Sequence, residues 1–169
     1  LSGKDSLDLI NRLSTNNVSD VHNKVTKTIF TNENGRIIDV VSIWKINDEK
    51  LLLICNTKNK NLLIEWIDKF TFEEEIHLKE SNNYELIHTF TDSRTINFEN
   101  FDLAGSNIKQ FSDQFESFFI SKTSFFNQHE TVDFLFDKEL SEEVNSILLA
   151  QDFKELNNDE FLSFKIKNI

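Results

Sequence analysis

Apolar residues recur at helical spacing in some stretches of this chain and at strand spacing in others. Leu7, Ile10 and Leu13, with Leu9 beside them, give GKDSLDLINRL an apolar stripe and predict an opening helix. The polar run STNNVSD breaks it, so Thr15 and Asn16 are read as helix-terminating residues. KVTKTIFT is rich in β-branched residues and predicts a strand. NENG is a turn in which Gly35 or Asn34 can take positive φ. RIIDVVSIWKI predicts a second strand, NDEK a second turn and LLLICN a third strand. The near-continuous apolar character of that third strand predicts burial on both faces. Leu62, Leu63, Trp66, Ile67 and Phe70 then form the stripe of a second helix, with Asn56 or Thr57 where an N-cap belongs.

The second half is patterned less sharply. EEEIHLKES and YELIHTFTD alternate apolar with polar positions and predict two strands. NFENFDL, FESFFIS and TVDFLF predict shorter ones. SEEVNSILLAQDF predicts a helix with Ser141 as N-cap and two glutamates in the first turn, where the helix dipole favours them. DEFLSFKIKNI can begin another helix. The expected architecture is α+β, a mainly antiparallel sheet with helices packed on one face. No Pro/Gly-rich linker and no internal repeat divides it.

Composition narrows the function classes. With 169 residues the chain can bury a real core. A net charge of −11 gives no global basis for binding nucleic acid, because phosphate neutralisation needs a basic face. Lys4, Arg12, Lys24, Lys27 and Arg36 lie in the N-terminal part, so an anionic ligand is expected there. No apolar run has a membrane-spanning length of roughly 18 residues. The expected location is therefore the cytoplasm, or an organellar matrix in a eukaryote. The absence of methionine and the last residues, FKIKNI, suggest a fragment of a longer protein.

Several chemistries lack their residues. Three glycines cannot supply a G-x-G-x-x-G or P-loop. The four histidines, His22, His77, His88 and His129, have no metal-ligand spacing, and Cys55 is the single cysteine. Cys55 sits in a stretch that reads as buried strand, where thiols are usually inert. The seventeen phenylalanines read as packing residues, and EEE at 73–75 as a solvated face.

Three segments in the first 80 residues resemble the glycine-cleavage T-protein superfamily. LSGKDSLDLINRLSTNNV is similar to its opening G-x-D-A-x-x-F-L helix and following T-N-D-V. TNENGRIIDVVSIW is similar to its N-x-x-G-G/R-I-x-D-D segment, and LLLICNTKNKNLLIEWIDKF to its V-V-N-A strand and K-D-x-x-W-I helix. The superfamily holds folate-dependent aminomethyltransferases and YgfZ-type folate-binding proteins linked to iron–sulfur cluster maintenance. The resemblance implies that residues 1–169 form the N-terminal α+β region of such a protein, with the C-terminal remainder absent. It also implies tetrahydrofolate, or a derivative, as ligand, and iron–sulfur proteins as possible clients.

Transferred residue by residue, the resemblance names five ligand candidates: Asn56, Asp39, Arg36, Val40 and Lys27. Asn56 matches the family's folate-contacting asparagine, and an N-cap role is open beside that one. Asp39 matches the first of the paired aspartates; the alternative is an outward-facing strand residue. Val40 occupies the position of the second aspartate, the one held near the folate N10. Arg36 replaces the second glycine, as in the YgfZ-type branch, and offers a charge-assisted contact to a folate glutamate, with a plain turn-exposed arginine as the favoured alternative. Lys27 falls near an aromatic position of many T-proteins, with a plain surface role as the alternative. Valine cannot move a proton, a service worth typically 10²–10⁴-fold in rate. The resemblance therefore implies no catalytic residue here and favours the YgfZ-like branch, whose K-G-C-x-x-G-Q-E signature this chain does not contain. The alternatives are an aminomethyltransferase and a scaffold of the same fold without ligand.

Overall fold

Period-two alternation is clearest in RIIDVVSIWKI, and this stretch supplies the central strand of the first of two structural units. The computed structural model describes residues 1–18, 25–56, 58–91, 109–110, 118–126, 129–157 and 159–161. The first unit spans Leu1–Ser81, and the second begins at Asn82.

In the first unit, α1 (Ser6–Leu13) precedes β1 (Val25–Thr31), β2 (Ile37–Asn47) and β3 (Lys50–Ile54), and α2 (Lys60–Lys69) follows. The strands pair antiparallel in the order β1-β2-β3. Phe30, Val41, Ile43 and Leu51 share one face and pack with Leu9 and Ile10 of α1 and Leu63 and Ile67 of α2. Both helices therefore cover the same side of the sheet, as the α+β pattern predicts. Short segments line the sheet's outer edges. Ser2 bridges to Lys50 and to His77, and Ser14 bridges to Phe30.

Three expectations change in this unit. EEEIHLKES is not a strand; only His77 makes a bridge, to Ser2. Its carboxylates serve turns and ion pairs instead, Glu74 with Arg12, Glu75 with Lys4 and Glu80 with Lys60. Glu74 accepts from the Phe72 and Glu73 amides, and Asp5 takes the Glu75 amide. LLLICN is not fully buried on both faces: Leu51 is fully buried, whereas Leu52, Leu53, Ile54 and Cys55 on the two faces are half-buried. Finally, α2 starts at Lys60 with Asn59 as its N-cap, so Asn56 is not the cap, and Thr57 lies outside the described residues.

In the second unit, β4 (Tyr84–Thr91), β5 (Lys109–Gln110), β6 (Phe118–Phe126) and β7 (His129–Asp137) form an antiparallel sheet in the order β4-β7-β6-β5. A short 3₁₀ turn leads into α3 (Ser141–Ala150). Val144 and Leu148 of α3 pack on Ile120, Val132, Phe134 and Phe136. On the other face, His88 Nδ1 lies 2.6 Å from Asp133 Oδ1 and links β4 to β7. Ser141 is the first helical residue and not the N-cap; its hydroxyl donates to Glu85. The strand expected over NFENFDL lies outside the described residues, as does most of DEFLSFKIKNI, of which residues 159–161 are helical.

Two contacts of the first unit yield predictions. Gly3 has φ +121°, and a Cβ there would sit 2.0 Å from the Glu75 carbonyl oxygen. Gly3→Ala should cost about 1–3 kcal/mol, read as a lowered Tm, because both the backbone angle and the close approach forbid it. The Arg12 guanidinium, 2.6 Å from Glu74, is the main cause that holds the Glu74 carboxyl down from 4.5 to about 2, with the Phe72 amide second. A depressed carboxylate stabilises the fold above its unfolded pKa and loses that contribution as pH falls through the folded value. Acid unfolding of Glu74→Gln should therefore show a shallower pH dependence between about pH 4.5 and 2.

Candidate functional site

Strand neighbours point to opposite faces, so the pair Asp39–Val40 cannot serve one site together. Asp39 is paired with Phe30 and shares the helix-covered side, where it is only 7% exposed. Its Oδ2 accepts the Asn56 amide at 2.7 Å, and its Oδ1 accepts the Val40 amide at 2.8 Å. The expected outward orientation of Asp39 is thus replaced by an inward one. Burial is tolerated because both oxygens receive N–H donors.

Val40 faces the other way and is 56% exposed. Ile29 lies opposite it on β1, Lys27 opposite Ser42, and Val25 opposite Trp44. On β3, Ile54 pairs with Ser42 and Leu52 with Trp44. Lys27, Ile29, Val40, Ser42 and Ile54 therefore share one face, an apolar strip with a lysine and a serine along it. Asn56 is exposed two residues beyond the last pair of the β2–β3 ladder, as Val40 is two residues before it.

Arg36 is exposed in the β1–β2 turn, where Asn32 Oδ1 accepts its amide and that of Asn34. Gly35 takes φ +71°, the conformation this turn needs. At about 3.3 Å per residue, Arg36 sits roughly 13 Å along the strand from Val40. Thr15 and Asn16 follow the helix, as expected, and also seal the β1 edge: the Thr15 amide donates to Ile29 O and the Asn16 Nδ2 to Lys27 O.

The structure thus groups Lys27, Val40 and Asn56, sets Arg36 at a distance and turns Asp39 away. Ile29, Ser42 and Ile54 belong to the same face without having been singled out in the sequence. The NENG turn was the available signal, since it fixes the register that places them. Cys55 packs against the helix-side core, where burial first, and the Asp39 charge second, push its thiol pKa up. That disfavours the reactive thiolate. Among the described residues, no group of three or more His, Cys, Asp or Glu is placed to hold a metal ion. No helix of the described residues is long and apolar enough to cross a membrane.

The sequence of the first unit extends to known proteins. The family described as the GCVT N-terminal domain matches residues 1–107. An aminomethyltransferase of Thermosipho melanesiensis is 30% identical over 89 residues, covering 52% of this chain and 24% of that protein. One from Thermotoga neapolitana is 30% identical over 83 residues, 48% of this chain and 21% of that protein. A third, from Clostridium botulinum (strain ATCC 19397 / Type A), is 33% identical over 79 residues, 45% of this chain and 21% of that protein. The matched part thus spans about a quarter or less of the length of these relatives.

Removing the buried carboxylate tests the geometry. Asp39→Ala leaves two backbone amides without their acceptor and should destabilise the first unit by about 1–3 kcal/mol. Hydrogen exchange at the Asn56 amide should accelerate with it.

Proposed function

Because the chain belongs to the GCVT N-terminal domain family, we propose that it is the folate-contacting part of a YgfZ-like protein that binds tetrahydrofolate without transferring an aminomethyl group. One observation carries this reading. By the resemblance Val40 stands where the family has its working carboxylate, and Asp39, both of whose oxygens are held by backbone amides on the opposite face, is not free to take that part.

The face that carries Val40 is compatible with the ligand, with Val40 exposed, Ile29, Lys27 and Ile54 half-buried and Trp44 buried along it. Tetrahydrofolate joins a flat ring system with polar edges to an anionic tail. Ile29, Val40 and Ile54 offer apolar contact, Asn56 a polar side chain, and Lys27 and Arg36 positive charge. In this reading Asp39 holds the site together and makes no ligand contact of its own. A role in iron–sulfur cluster assembly or repair, with iron–sulfur proteins as clients, belongs to the same proposal. It rests on Val40 together with Arg36 directly after Gly35, the form common in the YgfZ-like branch.

A second reading, a folate-dependent aminomethyltransferase, is favoured by the names of the relatives, which are aminomethyltransferases. The full-length protein separates the two. Titration with tetrahydrofolate, followed through Trp44 and Trp66 fluorescence, should saturate, while a glycine-cleavage assay should show no folate-dependent turnover. Turnover would establish the second reading, and failure to bind would leave a scaffold without ligand.

A further inference from the structure

We infer that Asp39 is a positioning residue that presents the Asn56 carboxamide with its NH₂ group outward, so that the site takes its ligand by a hydrogen-bond acceptor. This rests on the folate-binding reading and specifies the chemistry at one of its contacts.

The polar groups of Asn56 are almost all committed. Its amide donates to Asp39 Oδ2 at 2.7 Å. Its carbonyl oxygen accepts from the Asn59 amide at 2.9 Å. Its side-chain oxygen accepts from the Lys58 amide at 3.0 Å. A backbone N–H can only donate, so the carboxamide oxygen must face Lys58, and the side-chain NH₂ points away from the turn. Asn56 is exposed, and no acceptor engages that NH₂ among the described residues. The side chain is therefore presented as a donor only.

Asp39 sets the position from which this happens. It receives the Val40 and Asn56 amides on its two oxygens, one from β2 and one from the residue after the β3 end. The carboxylate thereby fixes where the chain leaves the sheet, and the Lys58 amide fixes the side chain from there. A ligand edge rich in acceptors, such as a ring carbonyl or ring nitrogen, matches this donor; an edge presenting only donors does not.

The test uses the full-length protein and tetrahydrofolate. Asn56→Asp keeps the acceptor for the Lys58 amide and the side-chain shape but removes the outward donor. It should weaken binding about tenfold or more, the usual effect of leaving a buried acceptor unmet. Asp39→Asn sets an NH₂ against one of the two backbone amides and should also weaken binding. The double variant should bind no worse than Asn56→Asp alone, because both changes act through one contact. General destabilisation would instead give additive losses, which would overturn the role of Asp39. In the unmodified protein, the Asn56 side-chain NH₂ resonances should shift on adding tetrahydrofolate. Unmoved resonances, or full affinity in Asn56→Asp, would overturn the inference and leave the folate reading standing. No binding by the unmodified protein would remove both.

Discussion

The first unit depends on a carboxylate that is removed from water and held by two backbone N–H groups. A buried charge is costly unless its lone pairs are met. Asp39 meets that condition with the amides of Val40 and Asn56, 2.8 and 2.7 Å away. The contact spans 17 positions of sequence and joins the central strand to the point where the chain leaves β3 for α2. Without it the loop after Ile54 would have no fixed start. The placement of Asn56, and the entry of α2 onto the Val41–Ile43 face, would both lose their anchor.

The pleat of β2 turns that contact into a division of labour. Residues 39, 41 and 43 face the helices, where Val41 and Ile43 are fully buried. Residues 40 and 42 face away, alongside Ile29 and Lys27 of β1. One strand therefore carries the core on one side and the candidate ligand face on the other. A one-residue slip of β2 would exchange its two sets, turning Ile43 away from the helices and Ser42 toward them. The NENG turn prevents it, with Asn32 Oδ1 accepting two amides and Gly35 in the left-handed region.

Much of this was legible in the residues, and what was not has a physical reason. The helices and the three-stranded meander follow from spacing and turn chemistry that act over a few positions. The family resemblance followed from three motifs in the same 80 residues. The orientation of Asp39 was not legible, because alternation says only that Asp39 and Val40 oppose each other. Which of them faces the core depends on what covers the sheet. An aspartate between apolar neighbours reads as outward on polarity alone, yet the Val40 amide beside it and the Asn56 amide 17 positions on reverse that. EEEIHLKES failed for a related reason: its alternation fits a strand, but Glu74 spends its carboxylate on its own loop and on Arg12. A cap role for Asn56, one of its two readings, follows from the preference of asparagine for helix starts. Asn56 does accept a backbone amide through its side chain, but in the turn that precedes α2.

The same geometry constrains how chemistry could return to this face. On β2 neighbouring positions lie on opposite sides of one strand, so their roles are separable: Asp39 organises the backbone, and position 40 faces away from it. Asp39 is buried with both oxygens engaged, and Val40 beside it is exposed on the opposite face. A carboxylate at position 40 would emerge on an apolar strip, near Lys27 and Ile29, without disturbing the Asp39 contact. The main-chain arrangement around Asn56 would be the same with or without it. The contact that orders the backbone and the side chain presented at position 40 thus belong to different faces of β2, and a change in the second does not entail loss of the first.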